Sequence, residues 1–252
     1  MTVTISADRT RALVLDIEGT TTPIEFVYQV LLPFARAHAS EYLARNQEST
    51  VCREAVALLR QEYAADPLSD AAQDSGPAGA DAAPDFSPAV ALRYIDRLMD
   101  QDRKSPGLKA LQGLIWQNGY NSGELRGQVF PDVAPAFKRW RARGLDIYIY
   151  SSGSVLAQRL LFGSTTAGDL TTFLKGYFDT AVGSKASPDS YVAIAARVQI
   201  PPPKILFVSD VVDELDAARR SGMQTALCVR GGEPASGTGT HPVIRSFDAI
   251  VE

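Results

Sequence analysis

Short apolar runs closed by loop residues recur along the chain at residues 12–15, 145–150, 177–182, 205–208 and 225–229. Runs of this length with abrupt polar ends predict β-strands. The first and fourth are continuously apolar, as expected of strands covered on both faces. The second alternates, with Ile147 and Ile149 against Tyr148 and Tyr150. Between the later runs the period becomes helical. Residues 132–143 carry Val133, Phe137 and Trp140 at spacings of four and three and stop near Gly144. Ser187-Pro188 has the form of an N-cap and first helical residue, for a helix reaching about Val198. Residues 212–221 read as a helix ending at Gly222. Strands alternating with helices through short loops predict a doubly wound parallel sheet of the α/β class.

From Thr20 to about Gly127 the strand pattern disappears. Residues 26–44 read as helix, with Pro33 as a point of kinking, and residues 51–63, 90–101 and 108–118 read as three more. The predicted organisation is therefore an α/β core of residues 1–19 and 128–252, interrupted by a helical cap of residues 20–127. Residues 64–88, rich in Ala, Asp, Ser, Gly and Pro, are expected to form a flexible loop inside that cap. A second flexible segment is expected at residues 231–239, and no internal repeat is visible.

Composition narrows the chemistry. A chain of 252 residues that is 45% apolar has material for one or two domains with a real core. A net charge of −4 gives no footprint for nucleic acid. No apolar run is long enough to span a bilayer, and residues 1–11 lack the basic start and apolar stretch of a signal peptide. Cys52 and Cys228 stand far apart, with neither metal spacing nor a disulfide framework, so a reducing cytoplasm is the default expectation. The two histidines, His38 and His241, read as a helix surface and a loop. Proton chemistry therefore falls to carboxylates and a lysine.

Three of the predicted strands end in residues with little structural use. The first delivers Asp16 and Glu18 before Gly19, Thr20 and Thr21; the second delivers Ser151, Ser152, Gly153 and Ser154; the fourth delivers Asp210, then Asp213 and Glu214. One acid after a strand is commonly a helix N-cap. Two acidic clusters and a Ser-Gly loop at matching strand ends point instead to a ligand site, because open α/β sheets bind ligands beyond the carboxyl ends of their strands. Gathered carboxylates favour a hard, oxygen-seeking cation such as Mg²⁺. A carboxylate beside it is placed to attack phosphorus. Ser151 and the amides of Ser152 and Gly153 are candidates to hold phosphoryl oxygens at a helix N-terminus. Lys185, after the third strand, is the candidate for positive charge, against the alternative of an ordinary surface lysine.

These residues resemble the haloacid dehalogenase superfamily. Asp16-Ile17-Glu18-Gly19-Thr20 resembles its first motif, DxDGT, with Glu in place of the second Asp; Ser151, Lys185 and Asp210 with Glu214 match the other three. Asp213 is an extra acid that leaves open which carboxylate supports the metal's outer shell. The resemblance is closer to the enolase-phosphatases of methionine salvage, through Asp16–Thr21 (DIEGTT), residues 148–155, Asp102-Arg103-Lys104, residues 110–113 and Ile115-Trp116. It implies a Mg²⁺-dependent monomer acting on a small phosphate ester, 2,3-diketo-5-methylthiopentyl-1-phosphate. It further implies Asp16 as nucleophile and metal ligand, Glu18 as acid and base with its carbonyl on the metal, and Asp210 as second carboxylate ligand. Ser151, Ser152 and Lys185 would bind phosphate, and the cap would offer Phe26, Tyr28, Lys104, Trp116 and Tyr120 as contacts. Another phosphatase of the superfamily, a dehalogenase and a non-catalytic phosphate binder are the competing readings. Glu18, the metal-binding acids and Asp16 argue against each in turn.

Overall fold

The computed structural model describes residues 2–4, 9–66, 86–103, 105–232 and 240–251. Most of the predicted flexible loop 64–88, Lys104 and most of residues 231–239 lie outside the described residues. The chain forms two compact units, Met1–Val27 with Leu125–Glu252, and Tyr28–Glu124. The seam therefore falls at Val27 rather than after Gly19. Residues Thr20, Thr21 and Thr22 are fully buried, and the Thr21 carbonyl accepts from the amide of Phe130, which ties this stretch to the first unit.

The first unit is built on a six-stranded parallel sheet. Its strands are β2 (Ala12–Leu15), β3 (Asp146–Tyr150), β4 (Gly176–Phe178), β5 (Ile205–Ser209), β6 (Gln224–Cys228) and β7 (Val243–Ile244), in the order β4-β3-β2-β5-β6-β7. A separate parallel pair joins β1 (Val3–Thr4) to β8 (Ile250–Val251). The apolar runs form strands because both faces are covered: every residue of β2 is fully buried. Side chains alternate across a strand, so Val14, Tyr148 and Phe207, level with one another in the sheet, share one face. They pack with Tyr191, Ile194, Leu215 and Ala218 in one cluster. Tyr191 and Phe207 meet edge to face at 5.0 Å. The alternation of β3 thus separates two buried faces, not core from solvent.

The intervening helices of this unit are Val133–Ala142, Val155–Gly163, Pro188–Val198 and Val212–Arg220. Pro188 opens the third of these, yet the Ser187 side chain makes no capping bond. The strand predicted at residues 177–182 is shorter, because Asp179 ends it. Its carboxylate accepts from the amides of Ala181 at 2.9 Å and Val155 at 3.4 Å, turning the chain out of the sheet.

The second unit is helical. Its helices are α1 (Leu32–Arg45), α2 (Thr50–Ala65), α3 (Pro88–Asp100) and α4 (Pro106–Ser122). A π-helical turn, Val27–Leu31, leads into α1. The wider turn accommodates Pro33, whose ring opposes the carbonyl of residue 29 and which has no N–H to offer it. Ser87 and Ser105 cap α3 and α4, accepting from Val90 and Leu108 at 3.4 and 3.0 Å, with proline next in line each time. The buried Asp66 pairs with Arg103 and Arg97 and accepts from the Tyr94 hydroxyl. Among the described residues no helix is long and apolar enough to cross a membrane.

Candidate active site

The strand order makes β2 the place where the chain changes direction across the sheet, with β3 on one side and β5 on the other. Leu15 is level with Ile149 and Val208, so Asp16, Ser151 and Asp210 leave the sheet at neighbouring strand ends. Asp16 still donates its amide to Val208 at 3.0 Å before the chain reverses. The Ile17 carbonyl then gathers the amides of Thr20, Thr21 and Thr22 at 3.2, 2.9 and 2.9 Å. The Thr21 hydroxyl donates back to the Asp16 carbonyl at 3.0 Å. Such convergence satisfies the backbone of a loop too buried to use water. Gly19 is required twice over. Its φ is +70°, and a Cβ there would stand 2.2 Å from Asp210 Oδ2. The missing side chain lets the Asp210 carboxylate close over the loop.

Asp16 is 2% exposed. Its Oδ1 receives a charged hydrogen bond of 2.5 Å from Lys185 Nζ. The same ammonium reaches Glu214 Oε2 at 2.7 Å, and that oxygen also accepts from the Ser209 hydroxyl at 2.9 Å. Burial alone would lower the pKa of Lys185, but its two carboxylate partners outweigh burial and raise it. Burial and the nearby charge of Asp16 push Asp210 up to about 7, and raise Glu214 as well. Asp16 and Glu214 therefore share one lysine, with Asp210 beside them. Among the described residues no cluster of three or more His, Cys, Asp or Glu side chains is arranged to hold a metal. A hard cation of the Mg²⁺ type does not need one. It is held by one or two carboxylates, carbonyl oxygen and retained water. The raised pKa of Asp210 marks the position where such a cation would relieve unbalanced negative charge, and the carboxylates of Asp16 and Asp210 are the oxygen donors it would meet there.

Ser151 is buried at the end of β3 and donates its amide to Phe178 of β4 at 3.2 Å. Its hydroxyl accepts from the Gly153 amide at 3.1 Å, so that amide is already engaged and differs from the free donor expected of it. Ser152 is half-buried in the same turn. Ser154 caps the helix Val155–Gly163, accepting from Ala157 at 3.3 Å. Gln158, buried one turn into that helix, donates to the carbonyls of both Gly153 and Phe178 at 2.8 Å. It fixes the Ser-Gly loop against β4 and carries no signal in the sequence, where it is one more polar residue of a helix.

A haloacid dehalogenase-like hydrolase model matches residues 10–222. Enolase-phosphatase E1 of Synechococcus elongatus is 50% identical over 94% of this chain and 96% of its own length. The enzyme of the same name from an Enterobacter species is 42% identical over 95% and 96%. The chain belongs to the enolase-phosphatase family of haloacid dehalogenase-like hydrolases. The solved structure of the UTR4 protein of Saccharomyces cerevisiae is similar, with TM-score 0.74 and 30% identity over 95% of this chain and 99% of that one.

The structure also sorts the acids that the family motif leaves ambiguous. Asp213 is exposed, while Glu214 turns inward to Lys185 and Ser209. Glu18 is half-buried at the mouth of the loop. The other candidate contacts do not share one environment. Phe26 is fully buried in the first unit, whereas Tyr28 is 51% exposed in the second. Trp116 commits its indole N–H to the Leu31 carbonyl at 2.8 Å, a bond internal to the second unit. Tyr120 is buried, its hydroxyl without a hydrogen-bond partner among the described residues, and burial raises its pKa. Lys104 lies outside the described residues.

Proposed function

We propose that this hydrolase is the Mg²⁺-dependent enolase-phosphatase of methionine salvage. It would convert 2,3-diketo-5-methylthiopentyl-1-phosphate to 1,2-dihydroxy-3-keto-5-methylthiopentene and phosphate. The observation that carries the reading is the buried Asp16 carboxylate, bonded to Lys185 at 2.5 Å beside an Asp210 closed over Gly19. This arrangement supports Asp16 as the nucleophile and Asp210 as the second carboxylate at adjoining strand ends, with Lys185, from the loop after β4, as the phosphate-binding cation.

Asp16 attacks phosphorus, forming an aspartyl phosphate as the bond to the substrate oxygen breaks. Glu18 protonates the departing oxygen and then activates the water that hydrolyses the acyl phosphate. Lys185, Ser151 and Ser152 bind the phosphoryl oxygens, and the ammonium of Lys185 turns from Asp16 towards the incoming charge. Asp16, Asp210 and the Glu18 carbonyl would hold Mg²⁺. The bound ion supplies Lewis-acid stabilisation to an enolate and neutralises phosphate charge. Glu18 has one methylene more than the aspartate of the general superfamily motif, which extends its reach towards the proton on carbon. The helical second unit is proposed as a cap that excludes water and recognises the methylthio end.

The test is turnover of the diketone phosphate, following enol absorbance and released phosphate with Mg²⁺ and with EDTA. Metal-dependent appearance of both is the expected result. Phosphate release with no enol signal would mark a phosphatase of different specificity. Glu18→Gln separates the steps: the variant is expected to lose both, and full enolisation in it would remove Glu18 as the enolising base.

A further inference from the structure

Two residues beyond the end of β6, Arg230 reaches back across the first unit to the loop that carries Asp16. Its Nε and Nη2 both donate to the Thr20 carbonyl, at 2.9 and 2.6 Å. Its Nη1 donates to Asp132 at 2.6 Å. The guanidinium lies between the rings of Phe130 and Phe247, 4.3 and 4.7 Å from their centroids. Only 11% of the side chain is exposed. Asp132 is itself fixed, accepting from the Phe247 amide at 2.5 Å and the Ser246 hydroxyl at 3.2 Å. All three guanidinium nitrogens are therefore engaged, and the two flanking rings fix the plane of the fork.

We propose that Arg230 is a positioning residue for phosphoryl transfer, clamping the nucleophile loop through the Thr20 carbonyl. This rests on the reading of Asp16 as the nucleophile. The incoming side of the loop is anchored by β2 and its middle by the Ile17 carbonyl. The outgoing side is held from elsewhere by the Phe130 amide to Thr21 and the two-bond Arg230 fork to Thr20. Thr20 adjoins Gly19, where the Asp210 carboxylate already stands too close for even a methyl group. A small displacement of Thr20 is therefore passed to both the Asp16 and Asp210 carboxylates. A charge-assisted pair of bonds to one buried carbonyl is the strong form of such a tether. Misplacement of reacting groups by about 1 Å costs on the order of a hundredfold in rate.

The experiment compares Arg230→Met combined with Asp132→Asn, which removes the clamp without stranding a buried charge, with Arg230→Lys. The control is Ile205→Ala, a cavity at the amino end of β5, remote from the carboxyl-end loops. Amide hydrogen exchange across Thr20–Thr22 is read first, in full-length protein without substrate. The clamp variant is expected to exchange about tenfold faster there, with Ile205→Ala unchanged. On whichever phosphate ester the wild type hydrolyses, kcat is expected to fall about ten- to hundredfold with KM within twofold. Arg230→Lys should lie between, keeping the charge but only one donor nitrogen in place of the fork, and Ile205→Ala should lose melting temperature but not kcat. Unchanged exchange at Thr20–Thr22, or equal losses of kcat in the clamp variant and the cavity control, would overturn the proposal. Wild-type turnover of the diketone phosphate tests the functional reading separately, because the exchange measurement does not depend on it.

Discussion

Asp210→Asn is expected to stabilise the metal-free protein while abolishing turnover. The Asp210 carboxyl is pushed from 3.8 up to about 7, first by burial and then by the charge of Asp16. It therefore binds its proton more tightly in the folded chain than in the unfolded one. The stability this contributes is complete below the unfolded value of 3.8 and is lost as pH rises through about 7. At pH 8 the folded protein carries the full cost of the ionised group. The interval corresponds to about 4 kcal/mol at most. Asp210 is only half-buried, so solvent screening reduces this to about 2 kcal/mol. Asparagine keeps the shape and removes the charge, and should gain about 2 kcal/mol at pH 8, or roughly 4–8 °C in melting temperature. At pH 5 the gain should shrink to less than half. The assay is thermal unfolding in EDTA at both pH values, followed by the fluorescence of Trp140, which is fully buried in the first unit, in a Trp116→Phe background. Saturating Mg²⁺ should then raise the wild type and leave the variant unmoved. A variant no more stable than wild type at pH 8, or a difference equal at the two pH values, would refute the electrostatic account.

Gly19→Ala should cut turnover at least about a hundredfold and erase the Mg²⁺-induced thermal shift, because its Cβ would stand 2.2 Å from Asp210 Oδ2; steady-state kinetics and melting with and without metal check both. Lys185→Met should lose phosphate release and about 3 kcal/mol at pH 8, since it leaves Asp16 and Glu214 together without their cation. That loss should diminish at lower pH, because burial and the charge of Asp16 raise the pKa of Glu214, and urea unfolding at pH 8 and pH 5 measures it. Asp66→Ala should destabilise the second unit by about 1–2 kcal/mol by removing its ion pairs with Arg103 and Arg97 and its bond from the Tyr94 hydroxyl, seen in Trp116 fluorescence of a Trp140→Phe background.

The parts of the site that the sequence displays are those whose chemistry conflicts with their position. An acid at the end of a fully buried strand, as at Asp16, has no role in packing, so it stands out without any knowledge of its neighbours. Ser151 and Asp210 are visible for the same reason, each following an apolar run. The supports are not visible. Gln158 and Arg230 are ordinary polar residues until the chain folds and brings carbonyls from residues 20 and 210 positions away. Short elements were equally silent: β1, β7 and β8 are two residues each, too short for any periodicity. His241, read as a loop residue, is buried between the Thr225 hydroxyl at 2.8 Å and Asp216 at 3.3 Å. The end of β4 depends on which amides the Asp179 side chain reaches, which propensity does not encode.

The charge balance at the strand ends separates a working site from a structural one. A structural ion pair buries one acid with one base and satisfies both. Here Lys185 is shared by Asp16 and Glu214, while Asp210, beside them, is driven towards its neutral form. Folding does not relieve that repulsion. It is held in place by Lys185 from one side, by the carbonyl of Ile17 within the loop, and by Arg230 from the far side. On the proposed reading, substrate phosphate adds further negative charge to this arrangement, and a cation arriving with it or before it would offset that charge. The same imbalance that destabilises the empty fold therefore favours the metal-loaded one. That is why the stability of Asp210→Asn in EDTA and its inertness to Mg²⁺ are expected to have one cause.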